Sequence, residues 1–292
     1  AEQSKAIICP TCLGAGKFHK RRCTNCRGLG VVEYKYGRVL FWKYDLTRFT
    51  LIYNRISRIF NKVRLVSAIL LALTSWFWGG YYAYQYFTVH ASVIAIDAIP
   101  ASTQFLFWLG VAIFCYAFYR VSVQHKRLSE VEHFDYEKAP EADRRLESLP
   151  DILKISHRAR RNISEAFTEE ALAALDTAYG LADKHGEAEV TPIYLFVALL
   201  ESNRIGNTFI RLGLGVKTIA AELGRLGLIG EVQMLKTAPS LSADLYQILF
   251  LAYTTAYDLH QNYVSVTELL TATVAQSKQL EDILFDLGID HQ

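Results

Sequence analysis

The chain repeats itself at a spacing of 74 residues, and that duplication constrains its fold more than any other feature. Phe167–Ala198 overlays Leu241–Ala272 without a gap. Leu175 then falls on Leu249, Ala178 on Ala252, Tyr179 on Tyr253, Ala182 on Ala256, Val190 on Val264 and Leu195 on Leu269. One inserted residue later, Leu212-Gly213-Leu214 falls on Leu287-Gly288-Ile289. The shared positions are apolar or small at helical spacing, so each copy reads as the same small helical bundle. The module runs over 152–292, with one copy at 167–226 and the other at 241–292. Two related bundles packed together create a junction groove suited to holding another chain.

Helix entries and exits agree with this reading. Thr168 can cap the first helix, with Glu169 and Glu170 in its first turn, and Gly186 ends it. Thr191 precedes Pro192 at the start of the second helix. In the second copy Ser242 opens the bundle and Val264–Leu270 matches the capped second helix. Tyr194, Tyr253 and Tyr257 read as core, and Asp183 and His185 as surface residues. These residues resemble the N-terminal domain of Clp-type AAA+ unfoldases, a double four-helix module. Its x-P-x-x-L-x-x-A-L-L helix is met here by Pro192, Leu195, Ala198, Leu199 and Leu200, and its closing turns by Leu212-Gly213-Leu214 and Leu287-Gly288-Ile289. The second copy departs from the pattern at Val266 and at Thr273-Val274.

The resemblance covers about half the chain, Ile152–Gln292. It implies a membrane-anchored domain that recruits unfolded polypeptides or adaptor proteins and passes them to an AAA+ ATPase in cis or in trans; the alternatives are a stand-alone membrane adaptor tethering a separate Clp ATPase, or a structural subunit of a membrane complex. It also implies a homo-oligomer formed through that ATPase ring. The chain stops a few residues after the second copy, where that family's ATPase would begin. No GxxxxGK[ST], HExxH or GxSxG motif occurs, so no catalytic role is expected of these residues.

Hydrophobic residues make up 51% of the 292 and the mean hydropathy is +0.14, high enough to ask where the membrane is. Two stretches, 65–87 and 104–122, the first without charge and the second without any before Arg120, reach the roughly 20 residues that span a bilayer core. A pair of buried core helices is the rival reading. Trp76, Trp78, Tyr81, Tyr82, Tyr84 and Tyr86 crowd one end of the first stretch like an interfacial belt. Basic residues flank the outer ends of the pair, and the connection 88–103 carries no Lys or Arg. Both termini are therefore expected in the cytoplasm, on a two-pass hairpin in the inner or cytoplasmic membrane.

Within 37–64, Phe49, Ile52, Tyr53, Ile56, Ile59, Phe60 and Val63 gather on one side of a helical wheel, with Arg48, Arg55, Arg58 and Lys62 on the other. Such a segment suits an anionic membrane surface, or else packs on its own domain. Segment 123–151 is a charged linker interrupted by Pro140 and Pro150, and His157–Arg161 reads as a solvated basic helix face.

At the other end, 1–36, Cys9-Pro-Thr-Cys12 and Cys23-Thr-Asn-Cys26 supply four thiolates at the spacing of one closed structural Zn²⁺ site. Cytosolic placement argues against the alternative, disulfides. Each pair continues as CxxCxGxG, through Gly14 and Gly16 and through Gly28 and Gly30. Over Cys9–Gly30 this resembles the zinc repeats of DnaJ-type co-chaperones, with two motifs here against four there. Lys17, His19, Lys20, Arg21 and Arg22 between the pairs read as a solvated hairpin; RNA, lipid headgroups and an acidic partner are the alternatives. Cys115, in the second apolar stretch, reads as a small packing residue. Nothing at the start resembles a signal peptide, and Ala1 in place of Met points to a trimmed start. A net charge of +2 gives no global pull toward nucleic acid, and none is expected as a partner. The expected fold is mainly α: a transmembrane hairpin, a duplicated four-helix module and a small zinc ribbon.

Overall fold

A computed structural model describes residues 6–18, 21–89, 101–125, 148–211, 213, 215–226 and 238–286. The chain divides into two compact units, one of Ala1–Leu51 with Leu128–Gln292, the other of Ile52–Arg127. The first unit begins as a ribbon of short antiparallel strands. These are β1 (Ile7–Ile8), a hairpin of β2 (Lys17–Phe18) with β3 (Arg21–Arg22), and then β4 (Val31–Lys35) with β5 (Arg38–Phe41). The β2–β3 hairpin is exposed, as expected of its basic residues. His19 and Lys20 lie outside the described residues.

The segment 37–64 does not form one amphipathic approach: Arg38–Phe41 is a sheet strand. Helix begins only at Arg48, and α1 runs unbroken over Arg48–Val89 for 42 residues, about 63 Å at 1.5 Å per residue. No Pro occurs in it and its first Gly is Gly79, so nothing breaks it between the amphipathic stretch and the apolar one. Residues 48–64 therefore continue the apolar helix instead of folding away from it. Val63–Tyr81, 19 residues of mean hydropathy 1.4, is long and apolar enough to cross a membrane. The next helix, α2 (Ala101–His125), has a shorter apolar stretch, Trp108–Tyr119. Small residues are the buried ones among those described in this unit: Ala68 and Ala72 on α1, Gly110 and Ala117 on α2. Trp76 meets Phe114 with ring centroids 5.8 Å apart. Cys115 is exposed, correcting its expected packing role, because its neighbour Phe114 takes the contact with α1. Most of the connection 88–103 and of the linker 123–151 lies outside the described residues.

A short helix α3 (Leu149–Ile152) and strand β6 (Arg160–Asn162) then return the chain to the ribbon, where β6 pairs parallel to β5 and completes a sheet ordered β1-β4-β5-β6. The solvated helix expected at His157–Arg161 is thus a turn and a strand. Arg160 is half-buried, its guanidinium donating to the Leu153 and Ile155 carbonyls at 3.0 Å.

The duplicated module follows as α4 (Glu169–Lys184), β7 (Glu189–Val190), α5 (Pro192–Leu200), α6 (Asn203–Arg211) and α7 (Val216–Arg225), then β8 (Ser240–Leu241), α8 (Ala243–Asp258), α9 (Val266–Gln276) and α10 (Lys278–Asp286). Moved by 74 residues, α4 lands end for end on α8, and the start of α5 on that of α9. Moved by 75, α6 lands on α10. Caps repeat too. Thr168 accepts from the Ala171 amide and Ser242 from the Leu245 amide. His185 is the C-cap and Gly186 follows it at φ +71°, a position held in the second copy by His260 at φ +52°. Thr191 caps without its side chain, whereas Ser265 forms a full capping box with Glu268. Leu212, Leu214 and Leu287-Gly288-Ile289 lie outside the described residues.

The copies are joined by exchanged parallel pairings. Phe167 bridges to Val264, and Glu189–Val190 pairs with Ser240–Leu241. The Thr168 amide donates to the Val264 carbonyl and, at the equivalent place, the Ser242 amide donates to that of Val190. A two-fold relation between the copies requires this reciprocity. Tyr194, Tyr253 and Tyr257 are buried, as expected of core residues.

The ribbon is sealed onto this module. Trp42, only 3% exposed, sets its ring edge-on to Phe167 at 5.2 Å, and Tyr36 stacks on Tyr257 at 3.9 Å while donating to Asp258 at 2.8 Å. Truncating Trp42 would remove an aromatic from the middle of this seal. The Trp42→Ala variant is expected to lose about 3–5 kcal/mol in urea unfolding, with ribbon and repeat still unfolding in one transition.

Candidate functional site

The ribbon gathers all four cysteines in one place. Cys9, Cys12, Cys23 and Cys26 are buried, and their sulfurs all lie within 4.8 Å of one another. The Cys9–Cys23 pair is at 4.0 Å and Cys12–Cys26 at 3.6 Å. Tetrahedral thiolates at the usual Zn–S length of about 2.3 Å stand roughly 3.8 Å apart, so the four residues fit one metal ion. The knuckles are related by 14 residues and clasp each other reciprocally. The Cys9 amide donates to the Gly30 carbonyl and the Cys23 amide to that of Gly16, both at 3.0 Å. The approach is so close that a Cβ on Gly16 would sit 2.7 Å from the Gly28 oxygen, and one on Gly30 would overlap the Gly14 oxygen. Donors point at sulfur as well: the Gly30 amide reaches Cys26 Sγ at 3.3 Å and the Asn25 side-chain amide reaches Cys9 Sγ at 3.6 Å.

Electrostatics within the cluster are divided. Burial raises the Cys9 thiol, but amide hydrogen bonds around Cys12 and Thr11 outweigh it and bring it down to about 7. Burial, reinforced by the Cys26 sulfur, pushes Cys12 up, and burial does the same to Cys26. Four buried thiolates cannot share this space without a cation, whose charge is what would favour the deprotonated set. The coordination sphere such an ion would have is all sulfur and closed, which is structural and not catalytic chemistry.

Several residues that hold the site were not singled out by sequence reasoning. Tyr246 on α8 lies against the first knuckle, where a Cβ on Gly14 would come 2.5 Å from its ring. Burial, and then the nearby Cys12, raise the Tyr246 hydroxyl. Gln247, the next residue, exchanges two 3.1 Å hydrogen bonds with the backbone of Ala6, acting as a strand neighbour. Tyr44 donates to Asp176 at 3.0 Å, and Arg48 clasps Asp183 through two nitrogens, so Asp183 is an anchor and not a bare surface residue. None of these pairs is close in sequence, and no motif marks them. A cleft between the ribbon sheet and α8, lined in part by Arg38, Arg161 and Tyr253, leaves about 10 Å³, enough for one water and no ligand.

On the module itself, the junction between copies is filled: Val190, Leu195, Val264 and Leu269 are fully buried. Its exposed large apolar side chains include Ile210 on α6 and Phe285 on α10, which are equivalent positions in the two copies.

Residues 166–287 match the family model of the Clp repeat (R) N-terminal domain, so the duplicated module is similar to domains of that kind. Among solved structures, the N-terminal domain of the caseinolytic protease associated chaperone ClpD from Arabidopsis thaliana is 16% identical with a TM-score of 0.37. It covers 43% of this chain and 89% of its own. The N-domain of ClpV from Vibrio cholerae is 20% identical with a TM-score of 0.35, covering 41% of this chain and 76% of its own. No curated protein sequence matches the chain.

The site makes a sharp prediction about glycine. The Gly30→Val variant keeps all four ligands but drives a side chain into the Gly14 backbone. Metal analysis of reduced protein is expected to give about one zinc per chain for the parent and a large loss for the variant. Equal zinc in both would show that the clasp does not build the site.

Proposed function

We propose that the chain is the membrane-anchored recruiting head of a Clp-type AAA+ unfoldase or disaggregase, serving protein quality control. The Clp repeat domain at 166–287 carries this reading, since such domains recruit substrates or adaptors in Clp ATPases. Its clients are exposed apolar segments of unfolded proteins or an adaptor. The contact residues we favour are Ile210 and Phe285, which offer one apolar side chain per copy. The power stroke belongs to an ATPase elsewhere, in cis or in trans, because the sequence holds no phosphate-binding loop.

Zn²⁺ in the four-cysteine ribbon is structural: one ion, held by Cys9, Cys12, Cys23 and Cys26. The anchor is a hairpin of two spans, with both termini cytoplasmic. The stretch Val63–Tyr81 supports its first helix, and the apolar Trp108–Tyr119 with the basic residues outside the pair supports the rest.

The test uses the full chain in nanodiscs with reduced, carboxymethylated lactalbumin as an unfolded client and the folded protein as control. Selective retention of the unfolded form, weakened by Ile210→Ser with Phe285→Ser, is expected. Indifference to folding state would overturn the recruiting role. Extraction of the native chain by alkaline carbonate would overturn the anchor separately.

A further inference from the structure

Helix α1 carries an apolar seam that no other described residue of its chain covers. Numbered as heptads with Phe49 at a, the residues Ile52, Ile56, Ile59, Val63 and Val66 alternate between d and a. Leu70, Leu73 and Phe77 continue the alternation, and Tyr53 and Phe60 occupy e positions. Every one of these side chains is exposed, from 47% at Ile56 to 77% at Phe49. The packing that the described residues give α1 lies on the other side, although Ile69 and Trp76 at g and Leu71 and Trp78 at b are exposed as well. Leu51 at c joins the core of the repeat, Ala68 at f and Ala72 at c are buried, and Trp76 at g meets Phe114. Positions c, f and g lie opposite a, d and e on the helix. An open apolar groove of about 430 Å³, lined by Leu73, Thr74, Phe77 and Trp78, falls on the unused side.

We propose that this seam is a homo-oligomer interface, in which α1 helices from copies of this chain pack in parallel, a, d and e positions against one another. The inference rests on the membrane placement of Val63–Tyr81. Length argues for a second copy over lipid as the cover. From Phe49 to Val63 the helix rises about 21 Å at 1.5 Å per residue, whereas the headgroup layer adds only about 5–8 Å on each side of the hydrocarbon. Lipid thus reaches the turn or two nearest the span and leaves the rest of the stripe to water. A stripe of three positions per heptad is also the width found on helices that face the core of a bundle.

Identity of the partner follows from orientation and charge. Copies inserted the same way and to the same depth present the stripe to one another parallel and in register. Residues 48–64 contain no acidic residue. In parallel pairing the basic g positions, 55 and 62, face e positions of the next helix, such as Phe60, instead of each other.

The test places a benzoylphenylalanine photo-crosslinker at Ile56, on the seam, or at Asn61, an f position, in the full chain in its native membrane. Illumination is expected to join two copies several-fold more from position 56 than from 61. Crosslinks from 56 to phospholipid alone, or equal yields from both, would overturn the seam. The Ile56→Lys, Ile59→Lys double variant is expected to run as a monomer in mild detergent with zinc content and helicity unchanged; persistence of the oligomer overturns the proposal as well. Resistance to alkaline carbonate is read on the same samples. Loss of the crosslink in protein that stays in the membrane sinks the seam alone, while extraction with the crosslink intact sinks only the membrane placement.

Discussion

A four-residue strand divides two hydrophobic cores, and much of the first unit depends on it. Along Arg38–Phe41 side chains alternate between faces, as they must at a period of two. Leu40, followed by Trp42, enters the core of the repeat, while Val39 and Phe41 face the smaller core that includes the cysteines. The neighbouring strand does the same, with Val31 on one side and Val32 on the other. Both edges of β5 are occupied, by β4 and by β6 from a distant stretch of chain. A register slip of one residue would turn every one of these side chains to the wrong core. The ribbon is therefore a shared wall and not an appendage.

Duplication works at two scales on the two sides of that wall. The knuckles, related by 14 residues, exchange Cys9-to-Gly30 and Cys23-to-Gly16 hydrogen bonds. The helical copies, related by 74, exchange parallel strand pairs. In both cases the copy cannot satisfy its own backbone and borrows the partner's. The remedy differs with size. The helical copies bury enough apolar surface to hold together by packing alone. The ribbon, whose strands from Ile7 to Phe41 fall just short of the roughly 40 residues at which a chain begins to fold unaided, leans on a neighbour, and a metal held by its cysteines would add to that.

Much of this was legible in the sequence where the signal is local or repeated. The four cysteines, the caps at Thr168 and Ser242 and the single insertion between α5 and α6 all stand in the chain as read, because spacing alone encodes them. The docking was not legible. Trp42, Tyr36 and Tyr246 are ordinary aromatics until the fold brings residue 36 beside 257 and residue 14 beside 246. The same gap explains why 37–47 reads as part of a basic helix and His157–Arg161 as a solvated one. Arg160 joins the sheet because Leu153 and Ile155 offer it two carbonyls, a partnership that composition conceals. Asp183 and His185 read alike on the helix until Arg48 reaches the first and the Tyr194 ring comes within 6.0 Å of the second.

Magnitudes decide which of these contacts matter for coupling the metal to the repeat. The Arg48–Asp183 clasp is partly exposed, and solvent-screened pairs of this kind contribute little. Burial of a large aromatic such as Trp42 is worth several times as much, and a structural zinc in a small finger brings on the order of 10 kcal/mol, much of which appears as folding energy. Because Gly14 abuts Tyr246 and the ribbon sheet lines the repeat core, that energy is not confined to the knuckles. If the four cysteines hold an ion, its removal would loosen a wall that also closes the repeat. Trp42 and Tyr246 would then face water, while the exchanged strands and the α4–α5 and α8–α9 pairs would persist. An ion held by the four cysteines would thus act on the repeat through packing alone, with no ligand from the repeat among the described residues.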